Sequence, residues 1–190
     1  MLAAGGSTRL GRPKQLLQYK GKTLLQHAVE TAVDTGIHPI IVVTGCNSEL
    51  IAGQINKMPV DIVINEKWQD GMASSIVCGL NFLLSGYPLP DGVIFMMSDQ
   101  PFVSAALIKS LLVTQQQTGK AMAASSYKNS TGVPALFHKA FFPQLLRLSG
   151  DAGARTILQP YSSEVATVSF AKGNIDIDTA EDYEKLLQSE

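Results

Sequence analysis

Residues 1–14 have the sequence Met1-Leu-Ala-Ala-Gly-Gly-Ser-Thr-Arg-Leu-Gly-Arg-Pro-Lys14, a short apolar segment followed by a loop rich in glycine and cationic residues. Glycine lets the backbone adopt positive φ and brings N–H groups close to a ligand, while cationic side chains neutralise negative oxygens. Pro13 restricts Arg12 to an extended conformation, so the chain straightens where Lys14 reaches away from the loop. This combination predicts a loop that binds a polyphosphate.

Two common phosphate-binding loops do not match this segment. A Walker A loop, G-x-x-x-x-G-K-[ST], needs K-[ST] directly after its second glycine, but Arg12-Pro13 follows Gly11. A second candidate, Gly21-Lys22-Thr23, fails because position 16, where the motif requires its first glycine, is Leu16. The G-x-G-x-x-G fingerprint of dinucleotide sites is also missing from residues 5–11. An ordinary turn between a strand and a helix, which also favours Gly, Ser and Pro, remains the alternative.

Apolar runs and amphipathic segments alternate along the rest of the chain, which predicts an α/β fold: a three-layer α/β/α sandwich with a mainly parallel, Rossmann-like sheet. Strands are predicted at residues 1–4, 40–44, 60–65, 92–97, 122–127, 133–137, 165–170 and 175–177. Helices are predicted at residues 24–35, 49–56, 73–84, 105–117, 141–148, 152–159 and from 180 onward. The first strand is shorter than the usual five or six residues, so we expect the natural start to lie upstream of Met1.

Composition limits the classes of function. The chain has 190 residues, 45% of them hydrophobic, and a net charge of −1, which predicts one domain over residues 1–190 and no basic field for nucleic acid or a membrane surface. No apolar run approaches the roughly 20 residues of a membrane-spanning helix, and no export signal is evident. Cys46 and Cys78 form no C-x-x-C pattern, which fits a reducing, cytoplasmic environment. The histidines lack metal-ligand spacing, and no G-x-S-x-G elbow is present, so zinc chemistry and a hydrolase triad are not expected.

Asp99 follows the predicted strand at residues 92–97, and in open α/β sheets ligands bind beyond the carboxyl ends of the strands. A carboxylate next to a phosphate site is repulsive unless a cation lies between them, which favours Mg²⁺. A turn shaped by Pro101 is the alternative role for Asp99.

A second acidic pair, Asp176 and Asp178, would lie on one face of the predicted strand at residues 175–177. Either Asp178 or Thr179 could cap the last helix, with Asp182 completing a capping box from Thr179. Asp178 is therefore the better candidate for a structural role, although it remains an alternative to Asp176 as a metal ligand.

Two further segments could contact a substrate. Gly71-Met72-Ala73-Ser74-Ser75 opens a helix with small residues, and its N–H groups could bind a base or a phosphate, although ordinary capping by Ser74 is an equal alternative. In Gly150-Asp151-Ala152-Gly153-Ala154-Arg155, Asp151 could cap a helix and Arg155 could point at a substrate phosphate. A capped surface helix with a solvated arginine is the alternative there.

These segments, together with Leu2-Ala3-Ala4-Gly5, Pro13-Lys14-Gln15-Leu16-Leu17, Ser98-Asp99-Gln100-Pro101 and Asp176-Ile177-Asp178-Thr179, resemble a known signature. The chain resembles the molybdenum cofactor cytidylyltransferase-like (MobA/MocA-like) nucleotidyltransferases, within the superfamily of sugar-phosphate and methylerythritol-phosphate nucleotidyltransferases. The resemblance covers nearly the whole chain. It implies a sheet of the nucleotide-diphospho-sugar transferase type.

The resemblance also implies an activity, which is the transfer of CMP from CTP to the terminal phosphate of molybdopterin, with release of pyrophosphate and Mg²⁺ as cofactor. The implied catalytic residues are Lys14, Arg9 and Asp99, and the implied metal ligands are Asp99 and Asp176. The implied nucleotide-binding residues are Leu2, Ala3, Ala4, Gly5, Gly6, Ser7, Thr8, Gly71, Ser74 and Ser75.

Other functions remain open at this point. A guanylyl-, adenylyl- or sugar-phosphate nucleotidyltransferase would use the same residues. A nucleotide- or cofactor-binding accessory protein that serves a molybdenum hydroxylase would need no catalysis, and such a hydroxylase is also a candidate recipient of the product. Val133 stands where many similar proteins have histidine, which leaves the identity of the acceptor open.

Overall fold

The computed structural model describes residues 1–128 and 130–188, in which strands and helices alternate. The strands are β1 (Gln18–Tyr19), β2 (Lys22–Thr23), β3 (Ile41–Thr44), β4 (Asp61–Ile64), β5 (Gly92–Phe95), β6 (Met122–Tyr127), β7 (Ser130–His138) and β8 (Val165–Ser169). The α-helices are α1 (Leu24–Val33), α2 (Ser48–Gly53), α3 (Met72–Gly86), α4 (Ala105–Thr118), α5 (Phe142–Leu146), α6 (Arg155–Leu158) and α7 (Ala180–Gln188).

Residues 1–3 connect two groups of strands into one sheet. Leu2 forms parallel bridges with Val43 on one side and Met97 on the other. Its N–H donates to the Met96 carbonyl over 2.9 Å, and the Ala3 N–H donates to the Val43 carbonyl over 2.8 Å. The order across the sheet is therefore β4, β3, residues 1–3, β5, β7, β6 and β8.

Only β7 runs against its neighbours in this order. It pairs antiparallel with β5 and β6, whereas β3 with β4 and β6 with β8 are parallel pairs. The mainly parallel sheet predicted from the sequence is confirmed, with β7 as the reversed strand.

Alternate residues of the first segment face opposite sides of the sheet. Met1 and Ala3 pack in an apolar cluster with α1, α2 and α4, while Leu2 packs in a second cluster with α3, α5 and α6. This alternation is the period-two pattern of a strand that is buried on both faces. The three-layer α/β/α sandwich is therefore confirmed.

Two helix starts follow the sequence signals. At α1 the Gln26 N–H donates to Thr23 Oγ1 over 3.1 Å, and the Thr23 N–H donates to Gln26 Oε1 over 2.9 Å, forming a capping box. At α4 the Leu107 N–H donates to Ser104 Oγ over 3.2 Å. Each cap satisfies N–H groups that a helix start would otherwise leave without partners.

Other predictions of local structure were wrong. The hairpin of β1 and β2 was not predicted, although Lys20 and Gly21 adopt the positive φ values of 46° and 79° that a tight two-residue turn requires. Helix α6 covers four residues, and Ala154 rather than Asp151 precedes it, without a side-chain cap. Residues 175–177 form no strand, because the Ile177 N–H donates to the Asp99 carbonyl over 3.1 Å instead of to a neighbouring strand.

The sequence also predicts a turn at residues 128–132, but residues 130–132 belong to β7, which begins at Ser130. Asn129, which belongs to that predicted turn, lies outside the described residues. In the parts of the chain that the structure covers, no helix combines the length and the apolar character needed to cross a membrane.

Candidate active site

The residues of the candidate site follow strands that end at one edge of the sheet. The glycine-rich loop follows residues 1–3, Asn65 follows β4 and Asp99 lies four residues beyond β5. Because β4, β3, residues 1–3 and β5 are parallel, their carboxyl ends meet at the same edge. This edge is where open α/β sheets bind ligands.

Hydrogen bonds that involve Ser7 and Gln15 fix the conformation of the glycine-rich loop. Ser7 adopts φ 50°, its carbonyl accepts from the Leu10 N–H over 3.0 Å, and its Oγ accepts from the Lys14 N–H over 3.0 Å. Gln15 is buried and donates its amide to the carbonyls of Ala3 and Gly5 over 2.9 and 3.1 Å. The sequence analysis assigned no role to Gln15, although a polar residue next to two leucines in this loop was a usable signal.

The N–H groups of residues 5–9 are available to bind an anion. Within residues 1–128 and 130–188, none of these N–H groups donates a hydrogen bond. Gly5, Thr8 and Arg9 are exposed, and Gly6 and Ser7 are half-buried. Unpaired, accessible backbone donors on a turn are the arrangement that cradles phosphates.

The first three predicted nucleotide-binding residues differ in burial from the loop that follows them. Leu2, Ala3 and Ala4 are all buried among the apolar residues below the loop. Only their main chain could therefore face a nucleotide.

Lys14 lies at the centre of an ion-pair cluster. Its Nζ contacts Asp99 Oδ2 and lies 2.7 Å from Asp178 Oδ1, and Arg9 Nη2 lies 3.0 Å from Asp178 Oδ2. The side chains of Lys14 and Asp99 are only 16% and 6% exposed. Burial by itself would lower the pKa of Lys14, but Asp99 and Asp178 outweigh it and the net pKa is raised. Lys14 is therefore charged and fixed by both carboxylates.

Asp178 has a different role from the capping role that the sequence favoured. Thr179 Oγ1 accepts from the Asp182 N–H over 3.2 Å, and Asp182 Oδ2 accepts from the Thr179 N–H over 2.9 Å, so Thr179 caps α7. The Asp178 carboxylate instead accepts from Lys14 and Arg9, and the hydrogen bond from Lys14 is the main cause of its lowered pKa. The physical reason is that residues 175–177 are not a strand, so period-two geometry does not govern Asp178.

Asp176 lies close enough to Asp99 for their charges to interact. Desolvation, and then the negative charge of Asp99, raise the pKa of Asp176 from 3.8 to about 6, while a hydrogen bond from Gln100 opposes the shift. The Asp176 residue is exposed, so solvent screens part of this repulsion. Ile177, which lies between Asp176 and Asp178 in the chain, is fully buried in a small apolar cluster with Leu17 and Leu186. This packing fixes the segment against the loop.

A divalent cation fits this pair of carboxylates. Asp99 Oδ1 is buried and accepts no hydrogen bond from any described residue, and a second negative group lies nearby. The described residues contain no group of three or more His, Cys, Asp and Glu side chains that could hold a metal. Mg²⁺ commonly binds through one or two carboxylates and completes its shell with substrate phosphates and water, so two acids are enough.

The turn at residues 71–75 is held by a residue that the sequence analysis missed. Asn65, which is buried, donates its amide to Ser74 Oγ over 2.7 Å and to Ser75 Oγ over 3.0 Å. Ser74 is half-buried and also bonds the carbonyls of Lys67 and Gly71, whereas Ser75 is buried. Asn65 could have been found from its place directly after an apolar strand at the ligand-binding edge.

Gly71 brings this turn against the loop at residue 150. It adopts φ 99°, and a β-carbon there would lie 2.3 Å from the Gly150 carbonyl oxygen and 2.7 Å from Asp151 Oδ1. The Ala73 N–H also donates to the Gly150 carbonyl over 3.1 Å. Two signature segments far apart in the sequence therefore form one wall.

Trp68 links this wall to the glycine-rich loop and was also missed. A β-carbon on Gly6 would lie 3.2 Å from Trp68 Cζ3, and one on Gly45 would lie 2.6 Å from Trp68 Cβ. The glycines thus allow the indole to pack directly against the loop.

Comparisons with known proteins identify the family of this chain. Residues 1–166 match the family model described as the MobA-like NTP transferase domain. The chain belongs to the MobA-like NTP transferase family. The resemblance noted in the sequence is confirmed, and the protein is a nucleotidyltransferase by family.

Three members or relatives of this MobA-like family are similar over nearly the full chain. Nicotine blue oxidoreductase of Paenarthrobacter nicotinovorans is 34% identical, with 98% of this chain and 94% of that protein covered. Purine catabolism protein PucB of Bacillus subtilis (strain 168) is 28% identical, with coverages of 99% and 94%. The crystal structure of Rv0371c from Mycobacterium tuberculosis H37Rv is 29% identical and has a TM-score of 0.86, with coverages of 98% and 94%. A structure of Rv0371c in complex with manganese is 27% identical and has a TM-score of 0.82, with coverages of 100% and 96%.

Proposed function

We propose that this protein transfers a nucleotidyl group from a nucleoside triphosphate to a phosphorylated acceptor and releases pyrophosphate. The specific reaction we propose is transfer of CMP from CTP to the terminal phosphate of molybdopterin. The observation that carries the proposal is the convergence of Lys14, Asp99 and Asp178 beside a loop whose N–H groups have no partners among the described residues.

The reaction requires no base from the protein. An oxygen of the acceptor phosphate, already ionised at neutral pH, forms a bond to the α-phosphorus, and the bond to the bridging oxygen breaks so that pyrophosphate leaves. Catalysis then depends on in-line positioning and on neutralising charge. The N–H groups of residues 5–9, together with Lys14 and Arg9, supply these functions.

Asp99 and Asp176 are the proposed ligands of Mg²⁺. A bound cation would neutralise phosphate charge in the region where these two acids repel each other. The manganese complex of Rv0371c supports a divalent ion, because carboxylate, carbonyl and water ligands suit both Mg²⁺ and Mn²⁺.

The preference for cytosine rests on the family resemblance and on the turn that contains Gly71, Ser74 and Ser75. Those hydroxyls and the main chain of Leu2, Ala3 and Ala4 are the proposed nucleotide contacts. Guanylyl, adenylyl and sugar-phosphate transfer remain the alternatives within this reaction class. We also propose a single domain, a cytoplasmic location and a molybdenum hydroxylase as recipient of the product.

One relative favours a second candidate function. The protein from Paenarthrobacter nicotinovorans, 34% identical over nearly the whole chain, is named an oxidoreductase, a reaction class that the sequence analysis did not consider. A non-catalytic accessory role is a third candidate.

Pyrophosphate release separates these candidates. It is measured with each of the four ribonucleoside triphosphates, with Mg²⁺ or Mn²⁺, and with or without molybdopterin. We expect release with CTP only when molybdopterin is present. Reduction of nicotine blue, the compound in that relative's name, is measured in parallel with a supplied electron donor, and reduction without pyrophosphate release would favour the oxidoreductase. Nucleotide binding without either reaction would favour the accessory role.

A further inference from the structure

A polar cavity lies at the ligand-binding edge of the sheet, on the side of β6 and β7. It has a volume of about 390 Å³. Its polar lining consists of four hydroxyls, one amide and one guanidinium, which belong to Ser126, Ser130, Thr131, Ser162, Gln159 and Arg155. Among the described residues, Leu158 is the one apolar residue that lines the cavity, and none of the described lining residues carries a carboxylate.

Arg155 provides the positive charge in this cavity. Its Nη2 donates to Ser130 Oγ, and among the described residues it forms no ion pair with a carboxylate. An arginine fork surrounded by hydroxyl donors matches the geometry of a phosphate, which accepts several hydrogen bonds at once. The chemistry of the lining is therefore selective for an anion.

The cavity adjoins the proposed metal-binding acids through Tyr127. A β-carbon on Gly132 of β7 would lie 2.2 Å from Tyr127 Oη, and one on Gly173 would lie 2.4 Å from Tyr127 Cδ1. Gly173 precedes Asp176 by three residues, so the tyrosine packs between the cavity wall and the acidic segment. The pKa of Tyr127 agrees with this position, because burial and the charge of Asp176 raise it while Arg155 lowers it.

The order of these features along the edge is informative. The glycine-rich loop follows residues 1–3, Asp99 follows β5, and the cavity lies at the turn between β6 and β7. Since β5 lies between residues 1–3 and β7 in the sheet, Asp99 stands between the loop and the cavity. A triphosphate on the loop and an anion in the cavity would approach the carboxylates from opposite sides.

We propose that the Arg155 cavity binds the phosphate monoester of the acceptor. This inference rests on the proposed function and names the site of its second substrate. Arg155 and the surrounding hydroxyls hold two of the phosphate oxygens, and the third attacks the α-phosphorus of the triphosphate. Pyrophosphate leaves with the electrons of the broken P–O bond, and no proton has to move.

Binding can be tested without turnover, using phenyl phosphate as the probe and amide NMR as the readout. In the parent protein, phenyl phosphate should shift the amide signals of Ser126, Thr131 and Gln159, and benzoate should not. In Arg155→Gln the dissociation constant at these amides should rise at least about 10-fold, since the variant loses the charge-assisted hydrogen bonds of the guanidinium to the phosphate. Arg155→Lys should give an intermediate value.

The matched control is Arg147→Gln, which removes the same charge from an exposed arginine that does not line the cavity. We expect it to bind phenyl phosphate like the parent protein. An equal loss in the two glutamine variants would overturn the proposal, as would equal binding of benzoate and phenyl phosphate. Because Arg155 is exposed, its replacement should leave the far-UV circular dichroism unchanged.

Turnover then distinguishes this inference from the proposed function. In Arg155→Gln the KM of the acceptor should rise about 10-fold or more, while the KM of the triphosphate stays the same. If phenyl phosphate binding depends on Arg155 but no triphosphate is turned over, the cavity assignment stands and the proposed function fails. If turnover occurs and the KM of the acceptor does not depend on Arg155, the cavity assignment is wrong and the function stands.

Discussion

A divalent cation that binds Asp99 would compete with the ammonium group of Lys14 for the same carboxylate. This ammonium contacts Asp99 and lies 2.7 Å from Asp178 Oδ1, in a setting where the lysine side chain is only 16% exposed. A cation that binds Asp99 must therefore loosen this ion pair or accept the repulsion of a nearby positive charge. We predict that Lys14→Met, which keeps the length but removes the charge, binds Mn²⁺ more tightly than the parent protein when no nucleotide is present.

The expected size of the effect follows from the geometry. Two opposite unit charges about 4 Å apart attract each other by about 4 kcal/mol at an effective dielectric constant of about 20. Desolvation of the ammonium offsets part of this, which leaves the roughly 1.5–3 kcal/mol typical of hydrogen bonds between charged groups. Because about 1.4 kcal/mol corresponds to a factor of ten, the dissociation constant of Mn²⁺ should fall about 10- to 100-fold.

Isothermal titration calorimetry near pH 7.5 measures this constant directly. Lys22→Met is the matched control, because Lys22 pairs with Glu30 over 2.8 Å at the surface, outside the cluster of Lys14. Its Mn²⁺ affinity should equal that of the parent protein. If folded Lys14→Met binds Mn²⁺ no more tightly than the parent protein, the competition between lysine and cation is refuted.

The role of Lys14 in turnover is a separate expectation. Lys14→Ala should lower the rate by about 10³-fold, as for other cationic groups that act on transferring phosphates. Full turnover of the purified variant would reject its proposed catalytic role. Tighter Mn²⁺ binding together with slower turnover would show that the lysine serves the phosphates and not the cation.

Three further predictions concern the acids and the turn. Asp99→Asn should abolish turnover that depends on Mg²⁺ without changing the circular dichroism, and normal turnover would contradict its role. The raised pKa of Asp176 means that the folded state loses stability as pH rises from about 4 to about 6. Asp176→Asn should therefore raise the melting temperature by about 2–4 °C at pH 7.5, if roughly 1 kcal/mol remains after screening. Near pH 4 the substitution should have little effect. Equal melting temperatures of variant and parent protein at pH 7.5 would contradict this prediction. Asn65→Ala should lower the free energy of unfolding in urea by about 1–3 kcal/mol, because it leaves the buried Ser75 hydroxyl without its donor, and an unchanged midpoint would argue against that contact.

The fold class was predictable because its signals are local and repeated. Apolar runs that end in turns, the capping box at Thr23 and the cap at Ser104 each specify an element from a few adjacent residues. Three consecutive residues do not carry enough periodicity, which is why the strand at residues 175–177 was predicted wrongly. Instead, the Ile177 N–H donates to the carbonyl of Asp99, which lies nearly 80 positions earlier in the chain.

The candidate site could be predicted only in part, for a related reason. Lys14, Asp99 and Asp176 stand in segments whose composition is unusual for a turn, so the sequence singles them out. Asn65 and Trp68 are single residues in ordinary connections, and they matter because folding brings them to Ser74 and Gly6. Such roles depend on tertiary packing and leave no pattern along the chain.

The reversal of β7 has a practical consequence for engineering. It brings the start of β7 beside the carboxyl end of β6, so residues that line the Arg155 cavity lie at the edge at which the parallel strands end. The glycine-rich loop at the same edge belongs to a separate stretch of the polypeptide. Grafting residues 126–132 and 155–162 from another family member should thus exchange acceptor preference while the machinery that handles the triphosphate is retained.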